Sequence, residues 1–146
     1  MLTEGAAVGE KIASCRVRIV HTIDDLHELQ KGEILVTDKT DPDWEPSMKT
    51  AAAIITNRGG RTCHAAIVSR ELGLPAVVGT HRGTDNLKDG QEITVSCAEG
   101  DVGKVYAGLL PFEIEKVDAG ELAVSCTDVM LNVANPDEAM RLSFLP

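Results

Sequence analysis

The chain has 146 residues, 43% of them hydrophobic and 25% charged, which leaves room for one domain with its own core plus tails but not for a second full domain. Its 14 Lys and Arg residues against 23 Asp and Glu residues give a formal net charge of -9, which repels polyanions and argues against nucleic acid as a partner. Its apolar runs fall well short of the about 20 residues that a membrane helix needs, and it lacks a basic-then-apolar leader, so we expect a cytoplasmic protein with no membrane partner.

The first part of the chain predicts a linker, a strand, a short helix and a second strand. Glycines without hydrophobic periodicity favour a linker, or at most a loose first strand, over residues 1–12. Apolar and charged residues alternate over 15–20, which is typical of a half-buried strand. Thr22 and Asp25 form a capping-box pattern at the start of a short helix, and residues 33–37 have the composition of a strand.

Residues 38–46 are polar and turn-prone, and Trp44 lies among their acids and prolines. An aromatic residue in such a loop either covers the edge of a core or docks on another domain, and we favour the first interpretation. Helix formers over 47–52 predict a short helix, which leads into a buried strand over 53–56.

That strand delivers a glycine turn, which a helix follows. Gly59 and Gly60 can adopt positive φ and let a ligand or another backbone come close. Thr62 can cap a helix of about ten residues, which Gly73 and Pro75 then end. The sequence therefore predicts an open turn directly before a helix.

His64 falls in the first turn of this helix, where backbone N–H groups have no intrahelical partner. The partial positive charge there favours a phosphate and disfavours a protonated ring, and a neutral imidazole can act as a nucleophile. Arg58 and Arg61 would add positive charge, while Thr62 would either cap the helix or hold a phosphate oxygen. On the residues alone, a phosphate-related role for His64 competes with that of an ordinary histidine at a helix start.

Three more strands complete the predicted domain. Residues 76–78 predict a buried strand, and His81 lies in the solvated loop after it. Strands over 93–97 and 103–107 are separated by a short turn and are expected to pair as a hairpin. From Phe112 onward, glycines, acids and apolar residues mix without a period, which is typical of a linker.

The cysteines, Cys15, Cys63, Cys97 and Cys126, are scattered without metal-type pairing, so free or buried thiols are expected. Cys63 beside His64 raises the alternative of a cysteine nucleophile in a redox or hydrolytic domain. Neighbouring residues on a helix point about 100° apart, so adjacency does not create a hydrogen-bonded pair. This alternative is the weakest.

The segment Gly59–Arg70 resembles the phosphohistidine signature of the PEP-utilising enzymes, which include PEP synthase, pyruvate phosphate dikinase and enzyme I of the sugar phosphotransferase system. The flanking segments Val36–Pro46 and Asp89–Asp101 resemble PEP synthase more than its relatives. The resemblance implies an α/β fold of the swivelling β/β/α type, with small packed sheets and helices on one side.

The resemblance also implies roles for the central residues. His64 would be the catalytic nucleophile that carries a phosphoryl group between two active sites. The phosphate would be oriented and neutralised by the residues before it, namely Arg58, Gly59, Gly60, Arg61 and Thr62. No metal ligand is expected in this chain, because the Mg²⁺ that helps both transfers would be held by flanking domains.

By the same resemblance, the chain is a fragment of a longer enzyme. Residues 1–12 would be a linker from an ATP-grasp domain, 13–112 the mobile phosphohistidine domain, 113–127 a second linker, and 128–146 the start of a barrel that binds PEP and pyruvate. The whole protein, a phosphotransferase of the pyruvate, water dikinase type, would convert ATP, pyruvate and water into AMP, PEP and phosphate. The fragment alone should not turn over, since each transfer needs a partner domain to exclude water.

Two other interpretations remain open. The chain could be the carrier domain of pyruvate phosphate dikinase or of enzyme I, which would use the same histidine with a different phosphoryl donor. It could also be a non-catalytic interaction module that shares only the fold. In that case His64 would stay unmodified with every donor.

Overall fold

The computed structural model describes residues 1–114 and Met140. The chain divides into two compact units, of which the first is Met1–Pro111 and the second begins at Phe112. The architecture given below is that of the first unit.

Some predictions concern the end of the chain. The linker predicted over 113–127 and the barrel start predicted over 128–146 lie, apart from residues 113, 114 and 140, outside the described residues. The thiol of Cys126 lies outside them as well. These assignments stay predictions.

The strands of the first unit close into a barrel. They are β1 (Thr3–Val8), β2 (Ile12–Ile19), β3 (Ile34–Thr37), β4 (Ala53–Thr56), β5 (Ala76–Val78), β6 (Glu92–Ser96) and β7 (Val102–Ala107). Their order around the barrel is β1-β5-β4-β3-β2-β6-β7, and β7 pairs again with β1. The pairs β2–β3, β3–β4 and β4–β5 are parallel, and the others are antiparallel. The predicted hairpin is confirmed as β6 and β7.

Short helices connect the strands. Two of them are 3₁₀ helices, over Ile23–Glu28 and Pro42–Trp44. The α-helices are α1 (Glu45–Met48), α2 (His64–Leu72) and α3 (Gly83–Asn86). In the part of the chain that the structure describes, none of the helices combines the length and the apolar character needed to cross a bilayer.

The central strands β3, β4 and β5 are buried along their whole length, because alternate residues face two different apolar layers. One layer fills the barrel and contains Val17, Ile34, Val36, Ile55, Val77, Ile93, Val95 and Val105. The other covers the outside of the sheet and contains Leu35, Ile54 and Val78 together with Trp44, Met48, Ala65, Ala66 and Val68 from the helices. The predicted α/β fold with helices on one side of a small sheet is therefore confirmed.

Of the two structures predicted for residues 1–12, a linker or a loose first strand, the strand is the one that residues 3–8 adopt, and the linker prediction is wrong there. These residues form β1 between β5 and β7. The glycines there serve close packing. Gly5 pairs with Gly103 of β7, and a Cβ on Gly5 would lie 2.5 Å from the carbonyl oxygen of Val78. A Cβ on Gly103 would lie 2.7 Å from the side chain of Val77. In the sequence these glycines suggest a flexible segment. In the fold their lack of a side chain lets neighbouring strands pack closely.

Two helix predictions also need correction. The helix after Thr22 is a 3₁₀ helix, and the hydroxyl of Thr22 donates to the Asp25 carboxylate (2.8 Å) instead of accepting from the backbone. The helix predicted over 47–52 is α1 and begins earlier, at Glu45. Trp44 is buried in the outer apolar layer, so the prediction that it covers the core is confirmed.

Candidate functional site

The glycine turn follows β4 at one end of the barrel, and its two glycines, Gly59 and Gly60, differ in backbone conformation and in the space around them. Gly59 has a φ of 113°, and a Cβ on it would lie 2.7 Å from Cys63 Sγ. Gly79, which follows β5, has a φ of 72°, and a Cβ there would lie 2.7 Å from the carbonyl oxygen of Gly59. Gly60 lacks a positive φ and has open space around it, so the expectation of positive φ is confirmed for Gly59 and wrong for Gly60.

Helix α2 begins at His64, which confirms that this residue lies in the first turn, but Thr62 does not cap the helix. The N-cap residue is Cys63, which has extended φ and ψ of -71° and 163° and makes no side-chain capping bond. Among the described residues, the backbone N–H groups of His64, Ala65 and Ala66 have no acceptor. The helix therefore starts with free donors at its positive end, which is the arrangement that binds anions.

The far end of α2 matches the prediction. Gly73 follows the last helical residue in the left-handed conformation, with φ 63° and ψ 31°. Its N–H donates to the carbonyl oxygen of Arg70 (3.1 Å), and Leu74 N donates to that of Ser69 (2.9 Å). The helix thus ends as a glycine C-terminal motif requires, and its length fixes the position of His64 at the barrel end.

The ring of His64 is partly exposed and is held by one hydrogen bond. Its Nδ1 lies 3.1 Å from Oγ1 of Thr40, a buried residue in the loop after β3. A neutral ring that donates its Nδ1–H to this hydroxyl keeps the lone pair on Nε2. Nε2 has no hydrogen-bond partner among the described residues, so it is the ring atom available for nucleophilic attack.

Glu45, the first residue of α1, supplies a carboxylate within electrostatic range of His64. The hydrogen bond from Lys49 (2.9 Å), together with its charge, holds the pKa of the Glu45 carboxyl below its usual value. The charge of His64 acts in the same direction with a smaller effect.

The two arginines of the glycine turn form ion pairs with carboxylates. Arg58 Nε lies 3.0 Å from Asp38 Oδ2, at the end of β3. Arg61 Nη2 lies 2.6 Å from Asp101 Oδ1 and donates to the backbone carbonyl of the same residue (3.1 Å). In the described part of the chain neither guanidinium hydrogen-bonds to His64. Both pairs are exposed and therefore contribute little to stability, so an incoming phosphate could compete for either arginine.

A cleft of about 560 Å³ lies beside Arg61 and is lined also by Glu10, Arg70 and Asp101. It includes neither His64 nor Thr40. The ring, which is partly exposed, therefore lies outside this cleft.

The structure brings His64 together with Thr40 and Glu45, neither of which the sequence singled out. Thr40 is 24 residues from His64 in the chain, and its spacing carries no motif. Of the residues predicted to support a phosphate, Thr62 is exposed and has no hydrogen-bond partner in residues 1–114 or Met140. Among those same residues, no three His, Cys, Asp or Glu side chains are grouped closely enough to hold a metal ion.

The thiols that the structure describes are free. Cys63 is partly buried, and it packs against Gly59. Cys97 is buried, and burial raises the pKa of its thiol, which donates to the carbonyl oxygen of Ala76 (3.2 Å). A buried, neutral thiol at Cys97 is a packing residue and not a nucleophile.

Comparison with known proteins places this geometry in a family. Residues 29–100 match the family model described as PEP-utilising enzyme, mobile domain, and this range includes β3, β4, the glycine turn and α2. The chain carries the mobile domain of the PEP-utilising enzymes. The resemblance found in the sequence is thereby confirmed.

Alignments that span this whole chain point to the phosphoenolpyruvate synthases within this family. Over 146 residues the chain is 53% identical to a phosphoenolpyruvate synthase of Helicobacter pylori, 55% to that of Deinococcus radiodurans and 51% to that of Escherichia coli. The alignments cover 100% of this chain but 18%, 19% and 18% of those proteins. The chain thus spans about a fifth of the length of these curated relatives. An NMR solution structure of Enzyme I (nEIt) aligns at 31% identity over 53% of this chain and 32% of its own, with a TM-score of 0.46.

Proposed function

We propose that the chain is the phosphohistidine carrier of a phosphoenolpyruvate synthase and that Nε2 of His64 is the atom that becomes phosphorylated. The observation that carries the proposal is the environment of the His64 ring. Nδ1 is bound to Thr40, the ring is partly exposed, and the free backbone donors of α2 lie beside it. A neutral nucleophile at the positive end of a helix is suited to accept a dianionic group.

In the proposed reaction the lone pair of Nε2 forms a bond to the β-phosphorus of ATP while the bond from that phosphorus to the α–β bridging oxygen breaks, and AMP leaves. Water then cleaves off the terminal phosphoryl group as phosphate, which leaves one phosphoryl group on Nε2. The proton on Nδ1 stays in its hydrogen bond to Thr40, so the ring needs no separate base. In the last step pyruvate loses a methyl proton, and its enolate oxygen takes the phosphoryl group from Nε2, which restores the neutral ring. The complete reaction converts ATP, pyruvate and water into AMP, PEP and phosphate.

The arginines of the turn have a supporting role in this proposal. The phosphoryl group on His64 would attract Arg61 and Arg58 away from the exposed carboxylates of Asp101 and Asp38, because planar guanidinium groups bind phosphate well. Thr62, which makes no capping bond, is free to donate its hydroxyl to a phosphate oxygen. The Gly59 and Gly60 backbone would let the phosphoryl donor come close.

The phosphoryl donor and the phosphoryl acceptor would be bound by other domains of a longer protein, since the relatives named phosphoenolpyruvate synthase are more than five times as long as this chain. We propose an ATP-grasp domain that phosphorylates His64 and a barrel domain that binds pyruvate and PEP, with Mg²⁺ held by those domains. The partly exposed ring supports this arrangement, because each partner can exclude water from it on docking.

Intact-mass measurement after incubation with ATP, Mg²⁺ and the separately produced ATP-grasp domain tests this function. The wild-type chain should gain one phosphoryl group, and His64→Ala should gain none. His27→Ala is the matched control, because it removes another exposed histidine from the same unit and should leave the gain intact. A phosphoryl group that persists on His64→Ala would contradict the assignment.

The same measurement separates the alternatives. A chain that is modified only when the donor is ATP with phosphate, or PEP, each with its cognate partner domain, would be the carrier of a pyruvate phosphate dikinase or of an enzyme I. A wild-type chain that stays unmodified with every donor would be an interaction module that shares the fold.

A further inference from the structure

Asn57 lies where the chain leaves β4, directly before the glycine turn, and is 9% exposed. Its Nδ2 donates to Thr84 Oγ1 (2.8 Å) and to Asp38 Oδ1 (3.4 Å), and its Oδ1 accepts from Thr84 N (3.1 Å). Both ends of the amide are thus engaged. The side chain connects the loop after β3 with the start of α3.

Asp38 is held from several directions at once. One carboxylate oxygen accepts from Asn57, and the other pairs with Arg58 Nε (3.0 Å). Its backbone carbonyl accepts from Arg58 N (2.9 Å), and the backbone N–H of Asn57 donates to the carbonyl oxygen of Thr37 (3.0 Å). The pairing of β3 with β4 therefore continues past the end of both strands, and the Asn57 side chain locks it from the barrel side.

We call the contacts between Asn57 and Asp38 the clamp. In the chain, each of these residues precedes one partner of the hydrogen bond between Thr40 and His64. Thr40 follows Asp38 by two residues, and His64 follows Asn57 across the glycine turn. The distance between Thr40 Oγ1 and His64 Nδ1 therefore depends on how the two segments are held together at Asp38 and Asn57. Since a hydrogen bond weakens steeply with distance and angle, a small shift of the Thr40 loop would break it.

We propose that Asn57 is a positioning residue that holds Asp38, keeps Thr40 in contact with His64 Nδ1, and thereby maintains the ring tautomer whose Nε2 is free. The inference rests on the proposed function of His64. Asn57 touches neither the ring nor a phosphoryl group. An amide suits this position because it donates to the carboxylate of Asp38 while accepting from Thr84, whereas a carboxylate would repel Asp38.

Nitrogen-15 NMR of the imidazole rings in the 146-residue chain, at about pH 8 where histidine is neutral, tests the inference. His64→Gln identifies the His64 signals. The wild-type ring should carry its proton on Nδ1. In Asn57→Asp the opposed carboxylates should displace the Thr40 loop, and the ratio of Nδ1–H to Nε2–H tautomers should fall about tenfold, as expected for the loss of one hydrogen bond.

A reversed pair provides the rescue. In the double variant Asn57→Asp/Asp38→Asn, the new amide at position 38 donates to the new carboxylate at position 57, and the tautomer ratio should return to that of the wild type. Asn86→Asp is the matched control, because it makes the same change of charge on an exposed residue of α3 and should leave the ratio unchanged.

The measurement needs no phosphoryl donor, so its outcome is independent of whether His64 is phosphorylated. A wild-type ring protonated on Nε2, an unchanged ratio in Asn57→Asp, or a double variant that fails to restore the ratio would each overturn the inference. If Asn57→Asp does not fold, Asp38→Ala makes the same test. It keeps Asn57 and its bonds to Thr84, and an unchanged tautomer ratio in it would also refute the role of the clamp.

Discussion

His64 and Thr40 are 24 residues apart in the chain, yet the hydroxyl of Thr40 lies 3.1 Å from Nδ1 of the ring. A ring that donates its Nδ1 proton to this hydroxyl keeps its lone pair on Nε2. Nε2 has no hydrogen-bond partner among the described residues, and the first backbone amides of α2 have no acceptor among them. The nearby carboxylate of Glu45 is paired with Lys49 (2.9 Å). The hydroxyl of Thr40 thus links the loop after β3 to the ring of His64.

Thr40→Val should slow the phosphorylation of His64 about tenfold, because valine fills the same space without accepting the Nδ1 proton. The rate at which the chain gains a phosphoryl group, followed by intact mass with ATP, Mg²⁺ and the ATP-grasp domain, measures this effect. Thr40→Ser keeps the hydroxyl and should stay close to the wild-type rate. Equal rates for the valine variant and the wild type would show that Thr40 does not set the tautomer.

The glycine turn and α2 act together at the scale of elements. Gly59 has a positive φ, its carbonyl oxygen lies close to Gly79 after β5, and Cys63 folds back over it. Cys63 then starts α2 in an extended conformation, which leaves the first amides of the helix without acceptors. The turn therefore does more than make space, because its conformation decides where the helix begins and which donors stay free.

Gly59→Ala should lower the free energy of unfolding by about 1–3 kcal/mol, because it combines a strained φ with a Cβ too close to Cys63 Sγ. Gly60→Ala is its natural control. The neighbouring glycine has no positive φ and no atom within 4 Å of the added methyl group, so its substitution should leave stability nearly unchanged. Urea unfolding followed by circular dichroism compares the two. A similar loss for both would contradict the different roles assigned to them.

The whole barrel positions the site. Parallel pairing of β3, β4 and β5 brings the segments that follow these strands to one end of the barrel, where Thr40, the glycine turn and Gly79 meet. Strand β1 closes the barrel by pairing with both β5 and β7. The N-terminal strand is thus part of the unit that contains His64.

Gly5→Ala should reduce the free energy of unfolding by about 1–3 kcal/mol, because the added methyl group would lie 2.5 Å from the backbone oxygen of Val78 and push β1 away from β5. Glu4→Ala alters the neighbouring, exposed position of the same strand and should change stability by less than about 0.5 kcal/mol. Urea denaturation measures both variants. A Gly5 variant as stable as the wild type would mean that closure at β1 contributes little.

The sequence by itself determined the features that depend on neighbours in the chain. Continuous apolar runs located β3, β4 and β5, glycine at position 73 ended α2, and the signature around His64 identified the family. These signals are local because hydrophobic periodicity, helix termini and turn preferences each depend on a few consecutive residues.

Only the tertiary structure decided which distant groups meet. It joined Thr40 to His64, and it paired Arg61 with Asp101, 40 residues further along the chain. It also turned the glycine-rich start of the chain into β1, because pairing with β5 and β7 supplies contacts that no short segment encodes. Side-chain partners in a barrel depend on strand order and register, so the neighbours of a polar residue in the chain do not identify its hydrogen-bond partner.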